Sequence, residues 1–217
     1  MPDTRLPFEL LVADWRRRVA ALYETVRTAA DPEESWQLWV ETRRLLYERH
    51  PASPLPAEER SSTTLSFFPY DPALRTVASL EPAPDEPARA SAGEHAFARV
   101  GRLRFSLFGD EHTLDLLWLA TYGNGLFLPF GDATNGATTY GGGRYLLDTV
   151  KGADLGLDRD RVIIDFNFAY APSCAWDAGW SCPLPPAANR LAIAVRAGES
   201  FSSTPPPRGA LSGAPAA

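Results

Sequence analysis

The spacing of apolar residues changes near residue 65, and this change constrains the fold more than any other feature of the chain. In the first fifty residues, apolar side chains recur at steps of three and four, the spacing of one helical face. Beyond residue 65 they alternate with polar ones, as in strands whose two faces differ in their surroundings. Leu103, Phe105 and Leu107, for example, alternate with two arginines and a serine. The pattern therefore predicts helices first and a β domain second.

The N-terminal segment, residues 1–56, is predicted to form two helices that pack on the β domain. The first carries an apolar stripe from Phe8 to Val26. The second begins at Asp31-Pro32, because an aspartate caps free backbone N–H groups and proline fits the first helical turn. It ends at His50-Pro51, since the residue before a proline is disfavoured in helical geometry.

The remaining residues are predicted to form a β domain over 57–201 and a disordered tail over 202–217. We expect a mainly β (α+β) protein whose antiparallel β-barrel or sandwich has about 8–10 short strands. Strand candidates include residues 162–168 and 191–197. No strand–helix–strand repeat follows residue 60, which argues against a Rossmann-type sheet.

Composition excludes several classes of function. The formal net charge is −6, which argues against a nucleic-acid binder that must neutralise phosphates. Lys151 is the only lysine beside twenty arginines, a bias that we attribute to a GC-rich genome. No apolar run approaches the roughly 18–20 residues of a membrane span, and the N-terminus lacks a secretory pattern. We therefore expect a soluble, cytoplasmic protein.

Glycines and polar residues concentrate between Phe127 and Glu199, in the segments PFGDATNGATTYGGGRYL, DFNFAYAPSCAW and CPLPPAANRLAIAVRAGE. Together with FFPYD upstream, these segments resemble the bacterial and archaeal family catalogued as domain of unknown function 1684. The resemblance implies no activity or cofactor. The family pattern usually has Pro-Pro-x-Glu-Asn after the second cysteine, whereas Ala188 precedes Asn189 in this chain.

Asp165 and Asn167 form the first candidate site. They lie two residues apart in a predicted strand, so their side chains share the face opposite the apolar residues. A solvated outer face explains this pair as well as a site does. Nearby tyrosines favour a site, and we predict Asp165 as general acid or base, with Tyr140 and Tyr170 as further catalytic groups.

Gly141-Gly142-Gly143-Arg144 is the second candidate, because glycines let backbone N–H groups converge and an arginine can grip an anion with two donors. The alternative is a turn in which Arg144 pairs with Asp165 or Asp132. Asp132 is expected mainly to organise its own turn. The full set of predicted substrate-binding residues is Arg144, Asn167, Asp132, Asn189 and Trp176.

Cys174 and Cys182 are predicted to be a structural pair, either as a disulfide or as packed thiols. Their spacing permits a disulfide, although cytoplasmic chains rarely keep one. A zinc site ranks second, because no histidine lies at ligand spacing from the pair. A catalytic thiol ranks last, since no histidine base lies nearby. We predict neither a metal nor a cofactor.

These observations leave two classes of function open. The first is an enzyme that acts on a small anionic substrate by acid–base chemistry of the hydrolase or lyase type. The alternative is a non-catalytic ligand-binding barrel, or a structural or interaction protein. In the structural case the polar segments form a buried hydrogen-bond network, and the helices contact a partner or form a homodimer. The expected partner is a small molecule, and neither nucleic acid nor a membrane is expected.

Overall fold

The computed structural model describes residues 6–82, 97–120 and 123–201. Within these ranges helix α1 spans Phe8–Thr28 and helix α2 spans Pro32–Arg49. The strands are β1 (Ser66–Phe67), β2 (Arg75–Pro82), β3 (Phe97–Leu107), β4 (Asp110–Leu119), β5 (Gly125–Phe130), β6 (Arg144–Asp148), β7 (Leu157–Asp158), β8 (Arg161–Asp165) and β9 (Glu199–Ser200). The tail predicted for 202–217 lies outside the described residues.

The two helices begin and pack as their sequence signals indicate. The Asp31 carboxylate accepts hydrogen bonds from the backbone N–H groups of Glu33 and Glu34 at 2.8 and 3.2 Å, which caps α2. Trp39 is almost fully buried, and its indole N–H donates to the Tyr23 hydroxyl of α1. The same indole meets Phe168 edge-on at 5.4 Å, so α2 contacts the β domain through this ring. Among the residues described, no helix has the length and hydropathy that a bilayer crossing requires.

Seven strands form one antiparallel sheet in the order β6-β5-β4-β3-β2-β8-β7, and β1 pairs with β9 separately. The longest hairpin joins β3 and β4 through Phe108 and Gly109, whose φ angles of 55° and 91° are both positive. Two positive φ angles match the twist of the flanking strands, so this tight turn connects them without splaying them.

The sheet curls into a half-barrel. Tyr145 on the edge strand β6 exchanges backbone hydrogen bonds of 2.9 and 3.1 Å with Tyr170, five residues beyond the end of β8. The curl brings Phe130 and Phe166 into edge-on contact at 5.2 Å inside the main apolar core. The predicted mainly β, antiparallel architecture behind two helices is confirmed, in the form of an open, curled sheet.

Two segments predicted as strands depart from that prediction, one in its last three residues and the other throughout. Strand β8 stops at Asp165, and the 3-10 helix Phe166–Phe168 follows, because the Asp165 carboxylate accepts the backbone N–H of Asn167. Residues 191–197 contain no strand, and the carbonyls of Val195 and Ala197 accept hydrogen bonds from the Arg144 side chain instead. The strand predicted over 162–168 is therefore confirmed over 162–165 and wrong over 166–168. The strand predicted over 191–197 is wrong throughout, because polar side chains replace strand partners there.

Candidate functional site

Arg144 lies in a fully buried ion pair with Asp132, the partner that the turn interpretation of the sequence allows. Both side chains are 0% exposed, and the guanidinium nitrogen Nη2 lies 2.8 Å from an Asp132 carboxylate oxygen. The guanidinium also donates to the carbonyls of Val195, Ala197 and Glu199. Burial lowers the pKa of Arg144, and Asp132 opposes this effect. Arg144 thus fastens the irregular C-terminal segment to the start of β6.

The second carboxylate oxygen of Asp132 organises the turn that follows β5. It accepts the backbone N–H and the hydroxyl of Thr134, and the backbone N–H of Val195 at 3.3 Å. Asn135 completes the turn, because its side-chain oxygen accepts the backbone N–H of Asp132 at 2.7 Å. Both Asp132 oxygens therefore have protein partners.

Asn189 is also fully buried and joins separate strands. Its side-chain oxygen accepts the backbone N–H of Asp115 at 2.8 Å, and its amide nitrogen donates to the carbonyls of Asp115 and Pro129. One side chain thereby satisfies backbone groups of both β4 and β5. The neighbouring Ala188 is exposed.

Asp165 and Asn167 do lie side by side, but in the interior and not on a solvated face. The Asp165 carboxylate accepts from the side-chain and backbone N–H groups of Asn167 and from Arg75 at 3.0 Å. Asn167 in turn pairs with the backbone of Asp71, which holds the FFPYD segment against the end of β8. Burial raises the pKa of Asp165 above its ordinary value, and Arg75 and Asn167 oppose that rise.

We call Asp132, Arg144, Asp165, Asn167 and Asn189 the buried polar network. Each member is at most 8% exposed and has hydrogen bonds to backbone groups or charged side chains. Together they fix long irregular segments onto the curled sheet.

A second region, which contains none of these residues, forms a cavity that is partly open to solvent. A cavity of about 260 Å³ lies between α1, the β5–β6 edge of the sheet and the segment that carries Cys182. Its walls are mainly apolar, from Phe97, Leu119, Phe127, Tyr145 and Trp180. Of the predicted site residues, only Cys182 lines this cavity.

The charged groups of the cavity come from three side chains. Lys151 and Asp148 lie at the end of β6, with the ammonium nitrogen 3.2 Å from the carboxylate. Arg16 on α1 contributes a second cation. Gly152 allows this arrangement, because its φ of 79° turns the chain and an added Cβ would lie 2.8 Å from Ala20 on α1.

Cys174 and Cys182 are adjacent free thiols, and we call them the thiol pair. The backbone N–H of Cys174 donates to the Cys182 sulfur at 3.3 Å, and the Tyr140 hydroxyl lies 3.7 Å from the Cys174 sulfur. A hydrogen bond from the Cys174 thiol lowers the pKa of Cys182 to about 6 and raises that of Cys174, so the two share one proton. Burial raises the pKa of Tyr140 to about 12.

The other predicted aromatic residues are packed within the protein. The Tyr170 ring lies edge-on to Tyr145 at 5.8 Å, and burial raises the pKa of Tyr170 well above its ordinary value. Trp176 stacks on Phe201 with the ring centroids 4.9 Å apart. Neither residue is among those that line the cavity.

Sequence reasoning missed Glu199 and Lys151. Glu199 is fully buried, and its carboxylate accepts from Arg43 of α2 at 2.9 Å and from the backbone N–H of Ala171. Nothing in its local sequence distinguishes it from a surface glutamate. Lys151, by contrast, is conspicuous as the only lysine, and codon bias explains the arginines without explaining why one lysine remains. Within the described part of the chain, no three His, Cys, Asp or Glu side chains are grouped as a metal site requires.

Comparison with known proteins gives the family. A model of the family described as Protein of unknown function (DUF1684) matches residues 61–200. The solution NMR structure of the uncharacterized protein from gene locus rrnAC0354 of Haloarcula marismortui is 34% identical, with a TM-score of 0.57, and the similarity covers 77% of this chain and 95% of that one. A search of the curated proteins found no match. The family model spans the buried polar network, the thiol pair and Lys151, and the chain belongs to the DUF1684 family.

Proposed function

We propose that this protein binds a small organic anion with a flat apolar body in the cavity between α1 and the β5–β6 edge of the sheet. The observation that carries the proposal is the Lys151 ammonium at the wall of a cavity whose lining is otherwise mainly apolar. Ligand sites of this kind combine apolar walls with a few placed polar groups that fix orientation. The Lys151 ammonium and the Arg16 guanidinium would meet the negative group. Asp148 also contacts Lys151, but the Lys151 side chain is 41% exposed, so this ammonium can bind a ligand without breaking a buried ion pair.

The size of the cavity favours a molecule built on one aromatic ring. An apolar cavity of about 150 Å³ holds a benzene ring, and this one has about 260 Å³. The rings of Phe97, Phe127 and Tyr145 offer faces and edges for such a body, with Phe127 and Tyr145 edge-on at 4.7 Å. A benzoate-like ligand would fit with room for a further substituent.

The buried polar network supports this placement of the ligand. Two nitrogens of Arg144 already donate to Asp132 and to backbone carbonyls, and the side chain is 0% exposed. The Asp165 carboxylate is likewise occupied by Arg75 and Asn167. An anion that entered there would have to displace buried partners, and leaving such groups unpaired is costly.

Cys182 gives the proposed site a defined pH dependence. Its thiol has a pKa of about 6, so at higher pH a thiolate competes with the ligand for Lys151. A benzoate carboxylate, with an ordinary pKa near 4, stays ionised at pH 5.5. We therefore expect benzoate to bind more tightly at pH 5.5 than at pH 7.5.

Calorimetric titration with benzoate at pH 5.5 tests the proposal. Lys151→Gln should weaken benzoate binding about tenfold or more, because the ion pair is lost from a partly enclosed site. The matched control is Arg161→Gln, since Arg161 and Lys151 are comparably exposed and each pairs with an aspartate three residues earlier. Arg161→Gln should leave the affinity unchanged, and benzamide should bind less tightly than benzoate. Equal affinities in both variants, or no benzoate binding, would refute the proposal.

A further inference from the structure

We infer that Cys174 and Cys182 form a redox-active dithiol that reduces small disulfides, with Cys182 as the attacking sulfur and Cys174 as the resolving sulfur. The reaction uses the same cavity as the proposed anion site, but it does not require an anion to bind there. It gives the thiol pair a chemical role beyond packing.

The surroundings of the two sulfurs differ, and this difference assigns each sulfur its own role. Cys182 lines the cavity and is half-buried, so a small molecule can reach its sulfur from that space. Cys174 follows Pro172 in the short 3-10 helix Ser173–Ala175, and its backbone N–H and its thiol both point at Cys182. The Tyr140 hydroxyl contacts the Cys174 sulfur at 3.7 Å. Attack from the cavity therefore meets Cys182 first.

The loop between the cysteines keeps the two sulfurs together. The backbone N–H of Asp177 donates to the carbonyl of Ser173 at 3.1 Å, and that of Trp180 to the carbonyl of Asp177 at 3.2 Å. These successive turns close the seven-residue loop without a covalent bond. Oxidation can then join two sulfurs that already interact through hydrogen bonds.

The charges around Cys182 favour a thiolate there. The hydrogen bond from Cys174 contributes most, and the Lys151 ammonium adds attraction from across the cavity. Burial acts in the opposite direction and raises the pKa of Cys182. The titratable or charged side chains that face Cys182 or line the cavity with it are Cys174, Tyr47, Tyr140, Tyr145, Arg16, Asp148 and Lys151.

The proposed reaction is a two-step thiol–disulfide exchange. The Cys182 thiolate attacks one sulfur of the external disulfide RS–SR, which forms a Cys182–SR mixed disulfide and releases RS⁻. The Cys174 thiol gives its proton to the released thiolate and then attacks the Cys182 sulfur. This step forms the Cys174–Cys182 disulfide and releases the second thiolate, which takes a proton from water. Two protein thiols are oxidised and one external disulfide is reduced to two thiols.

Exposure to bis(2-hydroxyethyl) disulfide, an uncharged and compact probe, tests the reaction by intact mass. The wild-type protein should lose two hydrogens and retain no adduct. Cys174→Ala should accumulate one hydroxyethylthio adduct, on Cys182. Cys182→Ser should react about tenfold more slowly at pH 6, because Cys174 alone is almost entirely protonated there.

The pH profile of Cys182 distinguishes this role from simple packing. Alkylation of the wild-type protein by iodoacetamide should rise with a midpoint near pH 6, since only the thiolate reacts. In Cys174→Ala the midpoint should move up, towards the ordinary value for a thiol. The wild-type profile needs no variant, so a misfolded variant cannot obscure the result.

Three outcomes would overturn the inference: a wild-type protein that keeps both thiols, adducts that form equally fast on either cysteine, or a wild-type alkylation midpoint near pH 8.5. Loss of benzoate binding would leave all of these measurements unaffected. Failure of the dithiol activity likewise leaves the Lys151 test standing.

Discussion

At the scale of single residues, Arg144 and Arg161 each lie 2.8 Å from an aspartate, yet burial makes the two ion pairs unequal. Arg144 and Asp132 are both 0% exposed, whereas Arg161 and Asp158 retain 45% and 47% of their side-chain exposure. We expect Arg144→Ala to lower the free energy of unfolding by about 3–5 kcal/mol, because it leaves Asp132 charged and unpaired in the interior. Arg161→Ala should change it by less than about 1 kcal/mol.

Urea denaturation followed by circular dichroism measures both variants under the same conditions. A small loss in both would show that Arg144 does not hold the C-terminal segment. It would also restore Arg144 as a candidate for ligand contact, as its glycine-rich sequence first indicated.

At the residue scale, the alternation of apolar and polar residues predicted only part of the arrangement around Asp165. Alternation placed Asp165 and Asn167 on one side of a strand, and the two side chains do lie together. Alternation did not reveal that Asp165 caps a 3-10 turn, or that Arg75 and Asp71 complete the contacts. Those partners are about ninety residues away in the chain, so no local period encodes them.

At the scale of elements, alanine substitutions at Gly152 and Gly109 distinguish the energetic cost of backbone strain from that of a steric clash with α1. Both have positive φ, 79° and 91°, so alanine at either position would adopt an unfavourable left-handed conformation. An added Cβ at Gly152 would lie 2.8 Å from the Ala20 Cα of α1, whereas at Gly109 it would meet nothing within 4 Å. We expect Gly109→Ala to cost about 1 kcal/mol, and Gly152→Ala about 1–3 kcal/mol more.

Urea unfolding of the two variants gives this difference directly. Equal losses would mean that α1 does not pack tightly on the turn after β6. Because α1 carries Arg16, an α1 displaced by Gly152→Ala should also weaken benzoate binding.

Elements whose residues contact one another locally were predictable. The helices and the β3–β4 hairpin follow from their own spacing and turn residues. The conformations of residues 131–143 and 191–197 could not be predicted in this way, because they depend on hydrogen bonds to Asp132, Arg144 and Asn189. A segment held by distant side chains has no period of its own.

At the scale of the whole molecule, the cavity is a product of the complete fold. Its lining comes from α1, β3, β4, β5, β6 and the segment around Cys182, which are distant from one another in the chain. Sequence motifs therefore drew attention to the buried polar network, whose residues belong to the three polar segments between Phe127 and Glu199. The proposed binding residues, Lys151 and Arg16, lie outside those motifs or at the other end of the chain.

The most direct test of the central claim follows the Lys151 amine itself. Because Lys151 is the only lysine, reductive methylation with ¹³C-formaldehyde labels one side-chain amine, which keeps its charge, and the α-amino group serves as an internal reference. In NMR spectra at pH 5.5, benzoate should shift the Lys151 methyl signal saturably and leave the α-amino signal unchanged. Benzamide should produce a much smaller shift. A Lys151 signal that benzoate does not move would contradict the assignment of this cavity as the ligand site.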